Sequence, residues 1–156
     1  MIKIYPAAIS NEMISDLIEK ADHASARPYQ SGVKNLSTIH PIKHPANKII
    51  STNIGKLGGV ELLTYTEGSY SDAHDDVDFS GNQLGWVATG LLFASDPNEY
   101  TGGELVFNKL NIEMKPPKGT LIWFPIGNTL TSYTHSVKPI TSGKRIMVVY
   151  RFIEEV

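Results

Sequence analysis

The sequence predicts a mainly β protein, an antiparallel sandwich or jelly roll preceded by one supporting helix. Two observations lead to this prediction. From residue 59 onward, short β-rich runs alternate with turn residues, and this spacing is typical of a sandwich or jelly roll. Before that point lies one amphipathic segment, which needs a sheet against which to bury its apolar face.

Composition limits the number of domains and the classes of function. The chain has 156 residues, of which 41% are hydrophobic, enough for one compact domain. We expect a single domain over residues 1–156, with a helix and loop support in 1–58 and a β core in 59–156. The net charge of -2 provides no basic field for a phosphate backbone, which argues against generic nucleic-acid binding. Because cysteine is absent, His, Asp and Glu are the candidate metal ligands.

Hydropathy gives no sign of a membrane or export segment. The first residues lack the apolar stretch of a secretory signal, and no apolar run approaches the roughly 18 residues that cross a bilayer. We therefore expect a soluble, cytoplasmic protein without membrane contact.

The N-terminal third carries one clear helix signal. Ser10 can cap a helix, and apolar residues then recur at helical spacing: Ile14, Leu17, Ile18 and Ala21. This pattern predicts a helix over roughly residues 11–24. Three prolines and a glycine among polar residues in 27–47 favour an irregular loop. Residues 48–57 suit either a helix or a strand, and the choice stays open.

Two histidines of this region could suggest a zinc site. His40 and His44 lie four residues apart, the spacing of a zinc pair on a helix. Each is followed by a proline, Pro41 and Pro45, which argues against a helix through both. We interpret them as loop histidines.

Eight β-rich runs are predicted in the rest of the chain. Turn sequences such as Gly102-Gly103, Pro116-Pro117 and Ser142-Gly143 separate them. The runs are Val60–Thr66, His74–Phe79, Trp86–Ala94, Glu104–Phe107, Ile112–Met114, Thr120–Phe124, His135–Val137 and Arg145–Phe152. No internal repeat is visible, which argues against a solenoid or propeller.

A candidate metal site begins with the tripeptide His74-Asp75-Asp76, which we place inside the second run. Side chains two apart on a strand point to one face, so His74 and Asp76 can bind one ion while Asp75 faces away. His135 opens a later run. Two imidazoles and one carboxylate occupy one face of an octahedral ion and leave three positions open, as in non-haem Fe(II) oxygenases.

A bidentate 2-oxo acid and O2 would fill those open positions, and the far carboxylate of the acid would then need a buried cation. Arg145, which follows the glycine turn, supplies a planar guanidinium fork suited to it. Lys144 is adjacent, but alternation along a strand aims it at the opposite face.

These residues resemble the 2-oxoglutarate and Fe(II)-dependent dioxygenases, specifically their prolyl 4-hydroxylase-like branch. The resemblance covers residues 60–152, and its motifs follow the order of the family. They are Tyr65-Thr66-Glu67-Gly68 with His74-x-Asp76, the run from Trp86 to Phe93, Gly102 to Phe107, Pro116 to Phe124, and His135 to Arg145. The resemblance implies a double-stranded β-helix with a supporting N-terminal helix, in agreement with the jelly roll predicted above.

The resemblance also implies roles for single residues. By position, the iron ligands of the family correspond to His74, Asp76 and His135. Arg145 corresponds to the residue that pairs with the distal carboxylate of 2-oxoglutarate. Tyr65 and Thr89 are the further positions that we assign to the co-substrate.

Two positions depart from the family pattern. Phe93 stands where several members have a tyrosine that assists 2-oxoglutarate, and Trp86 where they often have an arginine that touches substrate. These departures weaken any assignment of a substrate.

The implied activity is hydroxylation of an unactivated C–H bond with Fe(II), 2-oxoglutarate and O2, with ascorbate as a candidate reductant. The first choice of substrate is a prolyl residue in a peptide or protein. Another side chain, a small molecule and a modified (methylated) base are the alternatives within the same chemistry.

Two other classes of function stay open. A zinc hydrolase could use the same two histidines and aspartate, but the chain has no His-Glu-x-x-His helix, and Arg145 would have no role in it. A non-catalytic jelly-roll binding module is the other class, against which the retention of all three ligands and of Arg145 argues.

Overall fold

A computed structural model describes residues 1–21, 27–28, 37–76, 85–127 and 133–154. Within these residues the chain forms thirteen strands and two α-helices. Most of the strands belong to two antiparallel sheets. No helix in the described ranges combines the length and the apolar character that crossing a bilayer requires.

The predicted first helix, α1, spans Asn11–Lys20. Ser10 caps it by accepting a hydrogen bond from the backbone N–H of Met13 at 3.1 Å. The helix ends earlier than the predicted residue 24, because Ala21 is already in the extended conformation. Residues 22–24 of the predicted range lie outside the described residues.

The segment predicted as an irregular loop contains regular structure. It holds β2 (Arg27–Pro28), β3 (Ser37–Pro41) and the start of α2 (Ala46–Asn53). β2 pairs with β3, and β3 pairs with β4 (Leu57–Tyr65). The loop prediction is therefore wrong here. Strands at a sheet edge need only a backbone partner, so a polar sequence with prolines can conceal them. Residues 48–57, for which the sequence left the choice between helix and strand open, contain the end of α2 and the start of β4.

His44 connects α1 to the chain before α2. Its Nε2 lies 2.6 Å from Oδ2 of Asp16, and its Nδ1 accepts the backbone N–H of Ala46 at 3.1 Å. Because Nδ1 accepts, the ring proton sits on Nε2 and is donated to Asp16. His44 is a loop residue, as predicted, and its bonds are structural. The prediction is wrong for His40, which lies in β3.

The larger sheet has seven strands, all paired antiparallel. In spatial order they are β1 (Lys3–Tyr5), β10 (Leu121–Pro125), β6 (Ala88–Phe93), β13 (Arg145–Phe152), β4, β3 and β2. β13 is the central strand and is paired on both sides, with β6 and with β4. This double pairing fixes which side chains of β13 face each side of the sheet.

The smaller sheet has four strands, and a two-stranded ribbon adjoins it. The order of the smaller sheet is β5 (Ser71–His74), β11 (His135–Val137), β8 (Leu105–Phe107) and β9 (Ile112–Met114). The ribbon pairs β7 (Tyr100–Gly102) with β12 (Ile140–Gly143).

Two buried clusters hold these layers together. One cluster joins the two sheets and includes Leu63, Leu91, Phe93 and Met147 of the larger sheet with Leu105, Phe107 and Val137 of the smaller one. The other joins the helices to the larger sheet and includes Ile14, Leu17, Ile50, Leu62, Leu92 and Val148. The antiparallel jelly roll with a supporting N-terminal helix is confirmed.

Gly143 stands where β12 passes close to the backbone before β7. Its φ is +78°, and a Cβ there would lie 2.1 Å from the carbonyl oxygen of Glu99. We expect Gly143→Ala to lose about 1–3 kcal/mol of stability from the backbone conformation, and more from the overlap. Thermal unfolding followed by circular dichroism should show a Tm lowered by about 2–4 °C for each kcal/mol.

Gly68 offers a matched control for this prediction. Its φ is +85°, but a Cβ there would meet no atom of the described residues within 4 Å. Gly68→Ala therefore carries the conformational strain without the overlap. Equal losses of Tm in the two variants would contradict the close approach as the reason for glycine at 143.

Candidate metal centre and adjoining cavity

Three side chains able to bind a metal converge where β5 and β11 lie side by side. His135 pairs directly with His74 across the two strands, and Asp76 lies just beyond the end of β5. One possible ligand atom from each of the three lies within 4.8 Å of the others. Cross-strand neighbours have close Cβ atoms, which explains how residues distant in the chain meet.

The strand ends earlier than predicted. β5 finishes at His74, so Asp75 and Asp76 lie outside it, and the prediction that the whole tripeptide lies inside a strand is wrong. The physical reason is that β11 begins at His135, so the register that pairs the two strands ends at the His135–His74 pair. As predicted, Asp75 is turned away from the cluster: it is exposed and accepts a hydrogen bond from Thr134 at 2.5 Å.

Hydrogen bonds decide which imidazole nitrogens face the cluster. Nδ1 of His74 lies 2.8 Å from the carbonyl oxygen of Asp72, and Nδ1 of His135 lies 2.9 Å from that of Tyr133. Because a carbonyl only accepts, both Nδ1 atoms carry the proton in the neutral rings. The two Nε2 atoms are left with lone pairs, the form in which imidazole binds a metal.

The two carboxylate oxygens of Asp76 have different neighbours. Oδ1 lies 3.3 Å from Nε2 of His74 and 3.8 Å from Nε2 of His135. Oδ2 accepts hydrogen bonds from the hydroxyl of Thr89 at 2.8 Å and from Nη1 of Arg151 at 2.6 Å. Oδ1 is therefore the oxygen available to a metal.

Burial and neighbouring charges set the protonation of the cluster. Burial acts to raise the pKa of Asp76, but the Arg151 charge and the His74 hydrogen bond hold that pKa well below its usual range. Burial lowers the pKa of His135. It acts in the same direction on His74, where hydrogen bonds to Asp76 and the Asp72 carbonyl raise the pKa overall. The ionised carboxylate of Asp76 beside the neutral imidazole of His135 is ready to bind a cation, and a metal ion would displace the proton that His74 shares with Asp76.

A cavity extends from the cluster into the space between the sheets. Every second residue of β13 lines it: Arg145, Met147, Val149 and Arg151. Apolar side chains from four other strands contribute Leu63, Leu91, Leu105 and Val137. Glu61 and Ser71 add polar groups to the lining. The apolar part of the wall limits water and strengthens the electrostatic interactions inside the cavity.

Arg145 is a buried cation in this wall. Its side chain is only 1% exposed, whereas Lys144 is exposed, as the alternation predicts. The guanidinium carbon lies 4.9 Å from the ring centre of Tyr65 and 5.3 Å from that of Phe93. Its Nε and Nη2 have no hydrogen-bond partner among the described residues. Buried donors of this kind require an acceptor, and a carboxylate matches the guanidinium fork.

The two remaining predicted site residues occupy different places. Tyr65 pairs with Arg145 in the register of β4 and β13 and lines the cavity. Thr89 is fully buried on β6 and donates its hydroxyl to Asp76. The structure therefore brings Thr89 to a metal-ligand candidate, and its contact with a co-substrate stays a prediction.

Two residues of the site were missed in the sequence. Arg151 continues the alternation that begins at Arg145, so a period of two along β13 could have identified it. Tyr100 comes from a short strand that no predicted run includes, and no signal in the sequence marks it. Tyr100 and Arg145 both approach Gly103 closely, since a Cβ at Gly103 would lie 3.1 Å from Cε2 of Tyr100 and from Cδ of Arg145. The buried hydroxyl of Tyr100 makes no hydrogen bond of normal geometry in the described part of the chain, but it lies close enough to Arg145 for the two groups to interact.

Solved structures of similar fold include several hydroxylases. A viral collagen prolyl hydroxylase from Paramecium bursaria Chlorella virus-1, in complex with 2OG, aligns with a TM-score of 0.71 and 22% identity, covering 96% of this chain and 94% of that one. A Pseudomonas putida prolyl-4-hydroxylase aligns at 0.67 and 15%, covering 98% and 92%. A Trichoplax adhaerens prolyl hydroxylase, in complex with a peptide fragment of the hypoxia inducible factor oxygen degradation domain, aligns at 0.70 and 15%, covering 97% and 83%. At these identities the likeness shows the fold.

Comparison of sequences identifies the family more specifically than similarity of fold does. PKHD-type hydroxylases YbiX of Shigella boydii and Escherichia coli K12 are 42% identical over 69 residues, which is 41% of this chain but 28% of theirs. The match therefore spans less than a third of the length of those relatives. The family model of the 2OG-Fe(II) oxygenase superfamily matches residues 60–152, a range that contains the three clustered side chains and Arg145. By this match over more than half of its length, the chain belongs to the 2OG-Fe(II) oxygenase superfamily.

Proposed function

We propose that the chain is a dioxygenase in which His74, Asp76 and His135 hold Fe(II). The cofactors of the superfamily are Fe(II), 2-oxoglutarate and O2, and the donor set fits this metal, since two imidazoles and a carboxylate leave open positions for the other two. The observation that carries the proposal is the convergence of one possible ligand atom from each residue within 4.8 Å, with Nε2 of His74 and Nε2 of His135 3.3 and 3.8 Å from Oδ1 of Asp76.

We assign the distal carboxylate of 2-oxoglutarate to Arg145. The two unpartnered nitrogens, Nε and Nη2, lie on one edge of the guanidinium and can donate parallel hydrogen bonds to a carboxylate. Tyr65 flanks the same guanidinium. The buried hydroxyl of Tyr100 is a further hydrogen-bond donor near Arg145. It supports an anion-binding site around the Arg145 guanidinium, although Phe93, which also lies beside the guanidinium, brings no hydroxyl.

When bound, Fe(II) with 2-oxoglutarate and O2 supplies an oxidation that puts one oxygen atom into a C–H bond and the other into succinate, with loss of CO2. The residues of the chain orient and shield that chemistry. Phe107 and Phe124 pack against the ring of His135 at centroid distances of 6.0 and 5.0 Å. They hold the imidazole in place and keep water from its apolar side.

For the substrate we propose a prolyl residue in a peptide or protein. Support comes from three solved structures of similar fold that are prolyl hydroxylases, one of them in complex with a peptide fragment. The similar YbiX proteins are named hydroxylases. The net charge of -2 disfavours a nucleic-acid substrate. Another side chain, a small molecule or a modified base would serve the same chemistry.

Succinate formation tests both parts of the proposal. The protein is loaded with Fe(II) without oxygen, then given 2-oxoglutarate, ascorbate, O2 and proline-containing peptides. We expect peptide-stimulated succinate and one added oxygen atom on proline by mass spectrometry, and neither with peptides in which alanine replaces proline. Stimulation by other substrates alone would overturn the prolyl assignment. No O2-dependent succinate with any substrate would overturn the dioxygenase and favour a binding module or a zinc enzyme.

A further inference from the structure

We propose that Arg151 and Thr89 are positioning residues that hold the outer oxygen of Asp76, so that the carboxylate offers the metal a single oxygen. The proposal rests on the metal-ligand role proposed for Asp76. It concerns the two side chains behind that ligand and assigns a function to Arg151, which the metal-ligand and 2-oxoglutarate assignments do not use.

The three groups form a closed hydrogen-bond ring. Nη1 of Arg151 donates to Oδ2 of Asp76 at 2.6 Å and to the hydroxyl oxygen of Thr89 at 2.5 Å. The hydroxyl of Thr89 in turn donates to the same Oδ2 at 2.8 Å. Because a hydroxyl can accept one bond while it donates another, every contact in the ring is satisfied.

The backbone and an aromatic ring fix the guanidinium in this position. Arg151 and Thr89 are direct partners in the register of β13 and β6, so the pairing of the central strands sets their separation. The guanidinium carbon lies 5.2 Å from the ring centre of Trp86, a distance at which cation and ring attract each other. Lysine would keep the charge at this position but lose the planar fork that stacks and donates together.

The ring determines how Asp76 can ligate. To bind a metal through both oxygens, the carboxylate would have to turn Oδ2 away from a charged donor and a hydroxyl. Charge-assisted hydrogen bonds are roughly twice as strong as neutral ones, so they oppose that turn. With only Oδ1 offered, the protein fills three positions of a six-coordinate ion and leaves three for the co-substrate and O2.

If Arg151 acted only through its charge, the change in metal affinity would be opposite to the change that a positioning role predicts. The two roles can therefore be distinguished by experiment. The guanidinium is positive and repels a cation, so removing it would tighten metal binding if repulsion were its only effect. Removing a positioning donor instead weakens binding, since partners of this kind are typically worth about 10–100-fold in metal affinity. Because the charge of Arg151 also keeps Asp76 ionised, the sign decides between the two roles only together with the charge-neutral change Thr89→Val, which a positioning role predicts to weaken metal binding as well.

The test is a Co(II) titration of the metal-free 156-residue chain without 2-oxoglutarate, followed by visible absorption. We expect Arg151→Gln to raise the Kd for Co(II) about 10–100-fold and to change the position and intensity of the Co(II) bands, which report coordination geometry. Arg151→Lys should weaken binding less. The exposed Lys20, on α1, provides a charge-matched control, and Lys20→Gln should bind as the original chain does.

Thr89 keeps the test decisive if Arg151→Gln fails to fold, which far-UV circular dichroism would show. Thr89→Val removes the hydroxyl and leaves the Arg151–Asp76 ion pair, and we expect weaker Co(II) binding. Thr89→Ser restores the hydroxyl and should restore binding. The absence of 2-oxoglutarate separates this effect from any co-substrate contact of Thr89.

Unchanged or tighter Co(II) binding in the folded Arg151→Gln and Thr89→Val variants would overturn the positioning role. Asp76→Ala distinguishes this failure from a failure of the metal site itself. If Asp76→Ala binds Co(II) as well as the original chain, the metal site is wrong and the inference fails with it. If Asp76→Ala loses Co(II) while the Arg151 and Thr89 variants keep it, only the positioning role fails.

Discussion

His135→Ala is expected to reduce 2-oxoglutarate-dependent succinate formation to background, by more than about 100-fold. Loss of a partner behind a metal ligand typically costs about 10–100-fold, and loss of a ligand should cost more. His135 is 4% exposed and contributes one of the two Nε2 lone pairs of the cluster. Without it, one imidazole and one carboxylate remain to hold the ion. Succinate release at saturating Fe(II) and 2-oxoglutarate measures the loss.

Ser136 provides the control for this variant. It is the next residue of β11, half-buried, and its hydroxyl accepts a hydrogen bond from Asn108. Ser136→Ala should therefore retain the succinate rate. Metal-dependent turnover by His135→Ala within tenfold of the original rate would remove His135 from the ligand set.

Arg145→Gln should raise the 2-oxoglutarate concentration that gives half-maximal rate by about tenfold to a hundredfold. The charged hydrogen bonds that it removes are each worth roughly 1.5–3 kcal/mol, and every 1.4 kcal/mol is about a factor of ten in affinity. The three proposed metal ligands are untouched, so the rate at saturating co-substrate should fall less than the apparent affinity. Initial rates of succinate formation against 2-oxoglutarate concentration separate the two quantities.

Lys144→Gln is the matched control for Arg145→Gln, because it removes the same charge from the neighbouring residue. Lys144 is exposed and lies on the face of the chain opposite to the buried Arg145. The rate of the Lys144→Gln variant should depend on 2-oxoglutarate concentration as that of the original chain does. Equal dependence on 2-oxoglutarate in Arg145→Gln and the original chain would reject the assignment of the distal carboxylate.

Most of the residues that meet in the site could be predicted from the sequence. Few residue types can ligate a metal in a chain without cysteine, which drew attention to His74, Asp76 and His135. Period-two alternation then separated the inward Arg145 from the outward Lys144. Both arguments depend on donor chemistry and local geometry, which a single sequence carries.

Other features depend on pairing partners, which a sequence does not specify. The end of β5 at His74 is set by the short strand beside it, and the two-residue β2 exists through its pairing with β3. β1, β7 and β12 were not among the predicted runs either, and their pairing is what places them: β1 pairs with β10, and β7 pairs with β12. Tyr100 reaches Arg145 only through the ribbon that holds β7, so nothing near it in the chain marks its place.

The two cavity arginines stand on one strand, six positions apart on the same face. A slip of β13 by one residue against β4 and β6 would turn Arg145 and Arg151 outward together and bring Lys144 and Tyr150 inward. The proposed anchoring of 2-oxoglutarate and the proposed support of Asp76 would thus be lost in a single event. An insertion or deletion within this strand would therefore displace both arginines at once.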